Sequence, residues 1–467
     1  MLRKTPLISL LIIPIMCLVV GCKRNMKELR PNYHITAKEN WINDPNGLVK
    51  FNGKYHVFMQ HHPYSCQWGP MHWAHVVSSD LLNWEYLPIA LTPGDEFDKD
   101  GCFSGSSIVV DNRLYVAYTG FINNEDPEKI TQQQCLAYSD DGVHFVKLGC
   151  IIGKDKLPEG YASNDFRDPK IYKDGDHYYM LVAARKLDGR GRILLYKSIN
   201  LLNWDFVSDI LDEDSRGKMI ECPDYVKNLD LLLYCEQNQP VDGLMHHNVH
   251  STYYKHGRFE NNKFVSDNTG TIDYGFDFYA PQTFLDENIL IAWMDMWDRN
   301  QPSEQYGFVG QLSIPRRISQ EDGKLLQTPV FPEKILRKKV VFRNYEEHVT
   351  TGFYKLDIKE LSNLEVAFRK GKKHETTFKL INNEWVFNRS KSGVEIKGAE
   401  NDVDSLNGIR RMPFNKKDTH EIYFVLDRYS IEIFVDGISL TSSIYPDEKD
   451  DLLKITFKGK ECVLTKH

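Results

Sequence analysis

Residues 43–60 read NDPNGLVKFNGKYHVFMQ, in which a polar cluster precedes a short apolar run, a turn containing Asn and Gly, and a second apolar run. The same layout returns as FSGSSIVVDNRLYVAYTG at 103–120, RDPKIYKDGDHYYMLVAA at 167–184, ECPDYVKNLDLLLYC at 221–235 and YAPQTFLDENILIAWMD at 279–295. Short apolar and aromatic runs between Gly, Asn and Asp turns are typical of antiparallel strands. The chain is therefore predicted to be all-β and built on a repeated hairpin.

A second pattern follows each of the first three hairpins and gives the repeat its length. Its aromatic residues Trp84, Phe145 and Trp204 are 61 and 59 residues apart. A period near sixty that consists of strands indicates propeller blades, because a small antiparallel sheet buries its faces only by stacking on its neighbours. Five such units predict a five-bladed β-propeller over residues 33–335.

The pattern changes after PVFPEK at 329–334. Segments such as HETTFKLI, HEIYFVLD and SIEIFVD alternate apolar and polar residues, as strands with one buried face do. A C-terminal β-sandwich domain is predicted over residues 340–467.

The first residues, MLRKTPLISLLIIPIMCLVVGC, place two basic residues before an apolar stretch that ends at Gly21 and Cys22. This composition predicts a signal peptide over residues 1–22. A small residue directly before a cysteine resembles a bacterial lipobox, so we expect Cys22 to be lipidated and to anchor the protein to a membrane. The expected location is the bacterial cell envelope, either periplasmic or on the cell surface. A plain secretory signal and an uncleaved anchor are the alternatives.

Composition limits the ligand class. The 467 residues carry a net charge of -7 and no long basic run, which argues against nucleic acid and favours a small neutral or polar ligand. Seven cysteines remain after Cys17 and Cys22, without a CxxC pair, so mostly buried free thiols are expected. No metal and no cofactor are expected, because the four histidines between residues 61 and 75 show no convincing set of metal ligands. These are His61, His62, His72 and His75.

The polar clusters predict one shared site. In a propeller the first strand of each blade lines the central channel. Asp44, Asp168 and Glu221 are predicted to occupy the same position in their repeats and are therefore expected in one funnel, with Ser104 and Tyr279 from the other two blades. Like charges are costly to hold together unless a ligand or a reaction needs them. A pair of carboxyl groups on opposite sides of a sugar ring is what glycoside cleavage requires.

Local sequence suggests how the two acids differ. Asp44 lies among hydrogen-bond donors of Asn43 and Asn46, which favour its charged form. Glu221 lies between Ile220 and Cys222, an apolar setting that is expected to raise its pKa and suit an acid/base. Trp68 and Trp293 stand beside the polar clusters and are expected to present flat faces to a sugar.

The ordered motifs resemble glycoside hydrolase family 32, which includes invertases, inulinases and levanases. The matching stretches are WINDPNG at 41–47, YHVFMQHHP at 55–63, WGPMHWAH at 68–75, FSGS at 103–106, FRDPK at 166–170, ECPD at 221–224, DYGFDFYAPQTF at 273–284, IPRR at 314–317 and DRYSIEIFVDG at 427–437. The chain departs mildly from the family pattern at Ile42, Ala74 and Ile220, which affects pocket packing more than catalytic identity.

The resemblance implies a propeller with a β-sandwich and a retaining mechanism on β-D-fructofuranosides. Asp44 matches the nucleophile, Glu221 the general acid/base and Asp168 the carboxylate that stabilises the transition state. The implied substrate-binding residues are Asn43, Gln60, Trp68, Phe103, Ser104, Arg167, Tyr279 and Trp293. A retaining enzyme requires about 5 to 5.5 Å between the Asp44 and Glu221 carboxyl groups.

The expected function is an exo-acting hydrolase that releases fructose from fructans such as levan and inulin and from sucrose. A fructosyltransferase or an endo-fructanase on the same scaffold, and a surface glycan-binding lipoprotein without activity, are the alternatives.

Overall fold

The computed structural model describes residues 30–211, 217–284, 286–330, 338–341, 343–398 and 406–466. The predicted signal peptide and Cys22 lie outside these residues, so their assignment stays a prediction. Within the described ranges, no helix combines the length and apolar character that crossing a bilayer requires.

The first part of the described chain forms five antiparallel sheets in chain order, each built on one predicted hairpin. The first sheet contains β1 Asn40–Phe51, β2 Lys54–His62, β3 His72–Ser78 and β4 Glu85–Leu91. The second contains β5 Gly101–Val110, β6 Arg113–Ile122, β7 Thr131–Ser139 and β8 Val146–Ile152. The third contains β9 Tyr161–Asp174, β10 His177–Lys186, β11 Gly191–Ser198 and β12 Asp205–Asp209. Those of the next two are β13 Ile220–Val226, β14 Leu231–Gln237, β15 His250–Glu260 and β16 Lys263–Thr271; and β17 Tyr279–Phe284, β18 Ile289–Trp293, β20 Arg316–Glu321 and β21 Lys324–Pro329.

A short late strand joins the first sheet to the last. Strand β19, Phe308–Val309, pairs in parallel with β1, so that Asn40 lies opposite Phe308 and Trp41 opposite Val309. The chain segment that follows the fifth hairpin thereby closes onto the first sheet, which fixes the two ends of the sheet series to each other.

Apolar cores lie between neighbouring sheets, as stacking of blades requires. Ile108 and Leu136 of the second sheet pack with Phe166 and Ile171 of the third, and Trp204 completes that cluster. The other two repeat aromatics, Trp84 and Phe145, pack against two further clusters of buried residues. The period of about sixty therefore reflects aromatic residues that fill equivalent spaces between sheets.

The C-terminal part forms two six-stranded sheets that face each other across one apolar core. The strands, in sheet order, are β22 Lys338–Val341, β33 Glu461–Lys466, β24 Gly352–Lys359, β29 Thr419–Asp427, β30 Ser430–Val435 and β31 Ile438–Ser443 in one sheet, and β23 Asn344–His348, β32 Leu452–Lys458, β25 Asn363–Lys370, β26 Glu375–Ile381, β27 Glu384–Lys391 and β28 Ile409–Pro413 in the other.

Short 3-10 turns occur at Pro127–Lys129, Lys154–Lys156, Lys227–Leu229 and Pro302–Tyr306. The all-β prediction with a propeller and a sandwich is confirmed. The seven described cysteines are free thiols and five of them are buried, as expected.

Candidate active site

A β-bulge interrupts the first strand of all five sheets at the polar cluster. Pairing skips Asn43 and Asp44 in β1, Ser104 in β5, Asp168 and Pro169 in β9, Cys222 and Pro223 in β13, and Ala280 and Pro281 in β17. In a regular strand adjacent side chains point to opposite faces, and a bulge changes that direction. Neighbouring residues such as Asn43 and Asp44, or Arg167 and Asp168, therefore line one pocket.

The bulges correct the predicted alignment of the repeats. Asp168 and Cys222 begin their bulges, and both have positive φ, +63° and +49°. Glu221 precedes its bulge and so corresponds to Arg167. Asp44 is the second residue of its bulge and so corresponds to Pro169, and neither residue is equivalent to Asp168 as predicted. The prediction was wrong by one residue because local composition does not show where a strand gains an extra residue. The prediction that these side chains meet is unaffected.

The clusters meet in a pocket of about 300 Å³. Its lining includes nine of the eleven residues predicted for the site, namely Asn43, Asp44, Gln60, Trp68, Phe103, Ser104, Arg167, Asp168 and Glu221.

Two predicted residues lie behind the pocket wall. Trp293 ends β18 with 0% of its surface exposed, and its ring is covered by Trp41 and Trp297 at centroid distances of 6.0 and 5.1 Å. Trp297 lines the pocket in its place. Tyr279 is 1% exposed and reaches the site through its hydroxyl, which donates to Glu221 Oε2.

Sequence reasoning did not assign five further lining residues, which are Gln132, Asp165, Gln237, His250 and Trp297. Asp165 lies two positions before Arg167 on β9, and residues two apart on a strand share one face. This alternation is the sequence signal that could have identified Asp165. Gln132, Gln237 and His250 come from the second and third strands of their sheets, outside the repeated polar clusters. Only the tertiary arrangement brings them to the pocket.

Asp44 is held by donors on both of its oxygens. Asn43 Nδ2 donates to Oδ1 at 3.0 Å and Ser104 Oγ to Oδ2 at 2.6 Å, while the Cys222 thiol lies 3.8 Å from Oδ2. Burial nevertheless raises the pKa of Asp44 to about 6, with a further increase from the negative charge of Glu221. The expected donor of Asn43 is present and favours the charged form, but burial outweighs the donors in setting the pKa of Asp44.

Asp168 lies next to Asp44 and is anchored by the fourth sheet. Its Oδ2 accepts the backbone N–H of Cys222 at 2.9 Å, and the Cys222 thiol lies 3.7 Å from the same oxygen. The backbone N–H of Asp168 donates to Thr119 Oγ1 at 2.9 Å. Burial raises the pKa of Asp168 to about 7, and the charges of Glu221 and Asp44 add to this effect against the opposing charge of Arg167.

Glu221 is the most strongly stabilised of the three carboxylates. Burial alone would raise its pKa, but the positive charge of Arg167 and the Tyr279 hydroxyl hold the pKa below its ordinary value. Arg167 donates to Oε1 from Nη2 at 2.8 Å and from Nε at 3.3 Å. The predicted increase for Glu221 was therefore wrong for the free protein, because the decisive partners come from other sheets.

The histidines considered as metal ligands bond to other partners. His61 Nδ1 lies 2.8 Å from the Trp41 carbonyl oxygen, and His72 Nδ1 lies 3.0 Å from that of Pro70. His75 Nε2 lies 3.0 Å from His56 Nδ1.

The geometry joins a buried carboxyl with a pKa near 6 to an arginine-bound glutamate in one pocket, which is a pairing suited to acid and nucleophile chemistry on a sugar. Residues 34–329 match the N-terminal domain of glycosyl hydrolases family 32, and residues 328–465 match the C-terminal domain of the same family.

Relatives and solved structures extend over nearly the whole chain. A sucrose-6-phosphate hydrolase of Zymomonas mobilis is 37% identical, with 91% of this chain and 88% of the relative covered. A raffinose invertase of Escherichia coli is 34% identical, with 93% of each covered. A Bombyx mori GH32 beta-fructofuranosidase is 30% identical with a TM-score of 0.80, covering 94% of this chain and 93% of that one. The chain belongs to glycoside hydrolase family 32, and it is a glycoside hydrolase.

Proposed function

We propose that the protein is a retaining exo-hydrolase of terminal β-D-fructofuranosyl linkages, which releases fructose from sucrose and from fructans of the levan or inulin type. The observation that carries the proposal is the joint placement of Asp44, Asp168 and Glu221 in one pocket, with an arginine on only one of them. The relatives, which are named as a raffinose invertase and sucrose-6-phosphate hydrolases, support a fructosyl substrate.

In the proposed mechanism Asp44 attacks the anomeric carbon C2 of the fructosyl ring while Glu221 protonates the departing oxygen. A covalent fructosyl-enzyme forms, and water activated by the same glutamate releases fructose with retention. Because its pKa is about 6, Asp44 is mostly ionised near neutral pH, which is the form that acts as a nucleophile. Asp168 and Gln60 are proposed to bind fructose hydroxyls beside the reacting carbon.

Glu221 has to gain a proton before it acts as an acid. Its side chain is 14% exposed in the free protein, and that remaining contact with water is lost when a sugar fills the pocket. Loss of solvent favours the neutral form of a carboxyl group. Substrate binding is therefore expected to raise the pKa of Glu221 and to prepare it for proton donation.

Exo action is supported by the shape of the site. The catalytic carboxylates lie at or directly beside the bulges of strands from different sheets and line one pocket of about 300 Å³, so a single terminal ring reaches them most directly.

The test is incubation of the purified protein with sucrose, inulin and levan in parallel, with products resolved over time. Fructose as the first product, without intermediate-length oligomers, is the expected result. Early appearance of internal fragments contradicts the exo mode. Longer fructosides formed at high sucrose identify a fructosyltransferase, and absence of any cleavage contradicts the hydrolase.

We also propose that the protein is lipid-anchored through Cys22 in the bacterial cell envelope. The support is the sequence alone, in which Gly21 and Cys22 end an apolar stretch. Expression with a labelled fatty acid is expected to label the wild type and not a Cys22→Ala variant. Equal labelling of both contradicts the anchor.

A further inference from the structure

An open groove of about 900 Å³ adjoins the pocket and shares Trp68 and Trp297 with it. The remaining lining comes from Trp41, Gln67, the segment after Trp297 and one residue of the sandwich, Val394. In the proposed reaction the pocket holds the fructosyl ring, so the groove is where the leaving group lies. Its volume is about three times that of the pocket, which exceeds the needs of a single sugar ring.

Two aromatic faces mark the passage from pocket to groove. Trp297 stacks on Trp41 at a centroid distance of 5.8 Å and meets Trp293 edge-on at 5.1 Å, which fixes its orientation. Trp68 packs edge-on against Phe103 and leaves 48% of its surface exposed. A rigid ring with an exposed face binds the C–H surface of a sugar at low entropic cost.

The groove also has a fixed far side. Asn300 accepts the backbone N–H of Lys397 at 2.5 Å and donates to the Glu395 carbonyl at 3.1 Å, which ties the segment after Trp297 to the sandwich. Val394 lies in that sandwich segment, and the Lys397 ammonium is 3.0 Å from the Glu395 carboxylate. The groove is therefore bounded by both domains.

The charges of the described lining residues are unfavourable to an anion. Asp298 and Glu304 line the groove, and its one basic lining residue, Arg299, is 8% exposed with its guanidinium on Asp277 and on the Phe276 carbonyl. In the pocket, the one arginine of the lining, Arg167, already donates to Glu221 and Asp165, and His250 is the other basic lining residue. No lysine lines either space in the described part of the chain.

We propose that the groove selects a neutral, extended leaving group, a chain of two or more sugars, and disfavours a phosphorylated one. This inference rests on the proposed function. A phosphate carries close to two negative charges at pH 7 and needs cationic partners, whereas Asp298 and Glu304 repel it. This selectivity would distinguish the chain from relatives named sucrose-6-phosphate hydrolase.

The first experiment measures kcat/KM for sucrose, for sucrose 6-phosphate and for a neutral trisaccharide that carries the same terminal fructosyl unit. We expect kcat/KM for the phosphorylated substrate to be at least about tenfold below that for sucrose at low salt, with a smaller gap at high salt. The kcat/KM for the trisaccharide should equal or exceed that for sucrose. A kcat/KM for sucrose 6-phosphate that equals or exceeds that for sucrose overturns the inference, while failure to cleave any of the three overturns the proposed function.

Two sets of variants assign the effect to the groove. Asp298→Asn with Glu304→Gln is expected to raise the ratio of kcat/KM for sucrose 6-phosphate to that for sucrose severalfold, since the repulsion is removed and the shapes are kept. Asn tolerates the φ of +58° at position 298. The matched control is Asp140→Asn, which removes an exposed carboxylate paired with Arg113 on the second sheet and should leave the ratio unchanged. An unchanged ratio in the double variant contradicts the charge argument.

Trp297→Phe and Trp297→Ala test the extended part of the proposal. Both are expected to lower kcat/KM for the trisaccharide more than for sucrose, with Ala showing the larger loss. Thermal unfolding of each variant distinguishes a folding defect from lost binding. An equal loss on both substrates in a well-folded Trp297→Phe protein overturns the extended site.

Discussion

Three carboxyl groups share the pocket, and neighbours from other sheets decide which of them hold protons. Asp44 and Asp168 are desolvated and have pKa values of about 6 and 7, while Arg167 and Tyr279 keep Glu221 ionised in the free protein. At neutral pH Asp44 and Glu221 are therefore mostly ionised, while Asp168 is close to the midpoint of its titration. The rate should depend on pH through each of these groups.

Asp44→Asn and Glu221→Gln each remove one reacting group with little change in volume. Because proton transfer by a positioned side chain contributes roughly 10²–10⁴-fold, Glu221→Gln is expected to lose about that much in kcat. Asp44→Asn should lose at least as much, since no covalent intermediate forms. Initial rates on sucrose test both, and circular dichroism checks that the fold is intact. Near-normal activity in either folded variant refutes its assigned role.

The pH dependence separates Asp44 from Glu221. As the pH falls through about 6, Asp44 gains a proton and kcat/KM should fall with it. In Tyr279→Phe the hydroxyl that stabilises ionised Glu221 is absent, so the pKa of Glu221 rises. The high-pH limb of the profile should therefore move to higher pH. Tyr115→Phe, on the second sheet, serves as the control. An unmoved limb in Tyr279→Phe shows that Glu221 does not set it.

At the scale of the element, the bulged first strand is the unit of the site. The bulges of β1, β5 and β9 place Asp44, Ser104 and Asp168 in the pocket, and in β9 and β13 the first bulged residue has positive φ. A non-glycine residue there is strained by about 1–3 kcal/mol, which the surrounding sheets have to overcome. The strands between the bulges and the turns carry the apolar cores that hold these positions.

Gly105→Ala is expected to disturb the bulge in β5. A methyl group at this position would lie 2.0 Å from the Ala117 carbonyl oxygen, so the strand has to shift and Ser104 moves away from Asp44. We expect a loss of activity of one to two orders of magnitude together with a lower melting temperature. The control is Gly53→Ala, where a methyl group meets nothing within 4 Å, although its φ of +76° adds some strain. Equal activity in the two variants contradicts this role of the bulge.

At the scale of the whole molecule, buried charges join the sandwich to the propeller. Arg316 bonds to Glu432 and Asp273, and His34 lies between Asp427 at 2.8 Å and Glu432 at 2.9 Å. All of these side chains are buried, so removing one partner leaves an uncompensated charge, at a cost of about 3–5 kcal/mol. The two domains are thus expected to unfold together.

His34 makes this interface sensitive to high pH. Burial alone would lower its pKa, but hydrogen bonds and charges of Asp427 and Glu432 raise it to about 9. Because the pKa in the folded state exceeds the ordinary value of about 6.5, the stabilisation is complete below pH 6.5 and is lost as the pH rises through 9.

Urea unfolding at pH 7 and pH 10 measures this contribution. The wild type is expected to lose free energy of unfolding between the two pH values, whereas His34→Gln starts lower at pH 7 and loses less. The control His144→Gln removes an exposed histidine paired with Asp141 and should follow the wild type. Parallel losses in wild type and His34→Gln contradict the assignment.

Local patterns were enough to predict the fold class, because strand periodicity, turn residues and the sixty-residue spacing are written along the chain. They also predicted that Asp44, Asp168, Glu221 and most of the pocket lining share one site, because the first strands of the blades converge in a propeller. Local patterns did not predict the register at Glu221, because a bulge shifts it by one residue. They also did not predict that Trp297 lines the pocket while Trp293 is covered, because this depends on which rings pack over each side chain.

The sequence by itself determined which side chains are available, in what order, and on which repeated strand. Only the tertiary structure decided their protonation and the shape of the leaving-group groove. The reason is that burial and charge act through space: Arg167 of the third sheet holds Glu221 of the fourth, and Val394 of the sandwich borders a groove that begins at Trp68 of the propeller. These contacts join residues far apart in the chain, so no local pattern contains them.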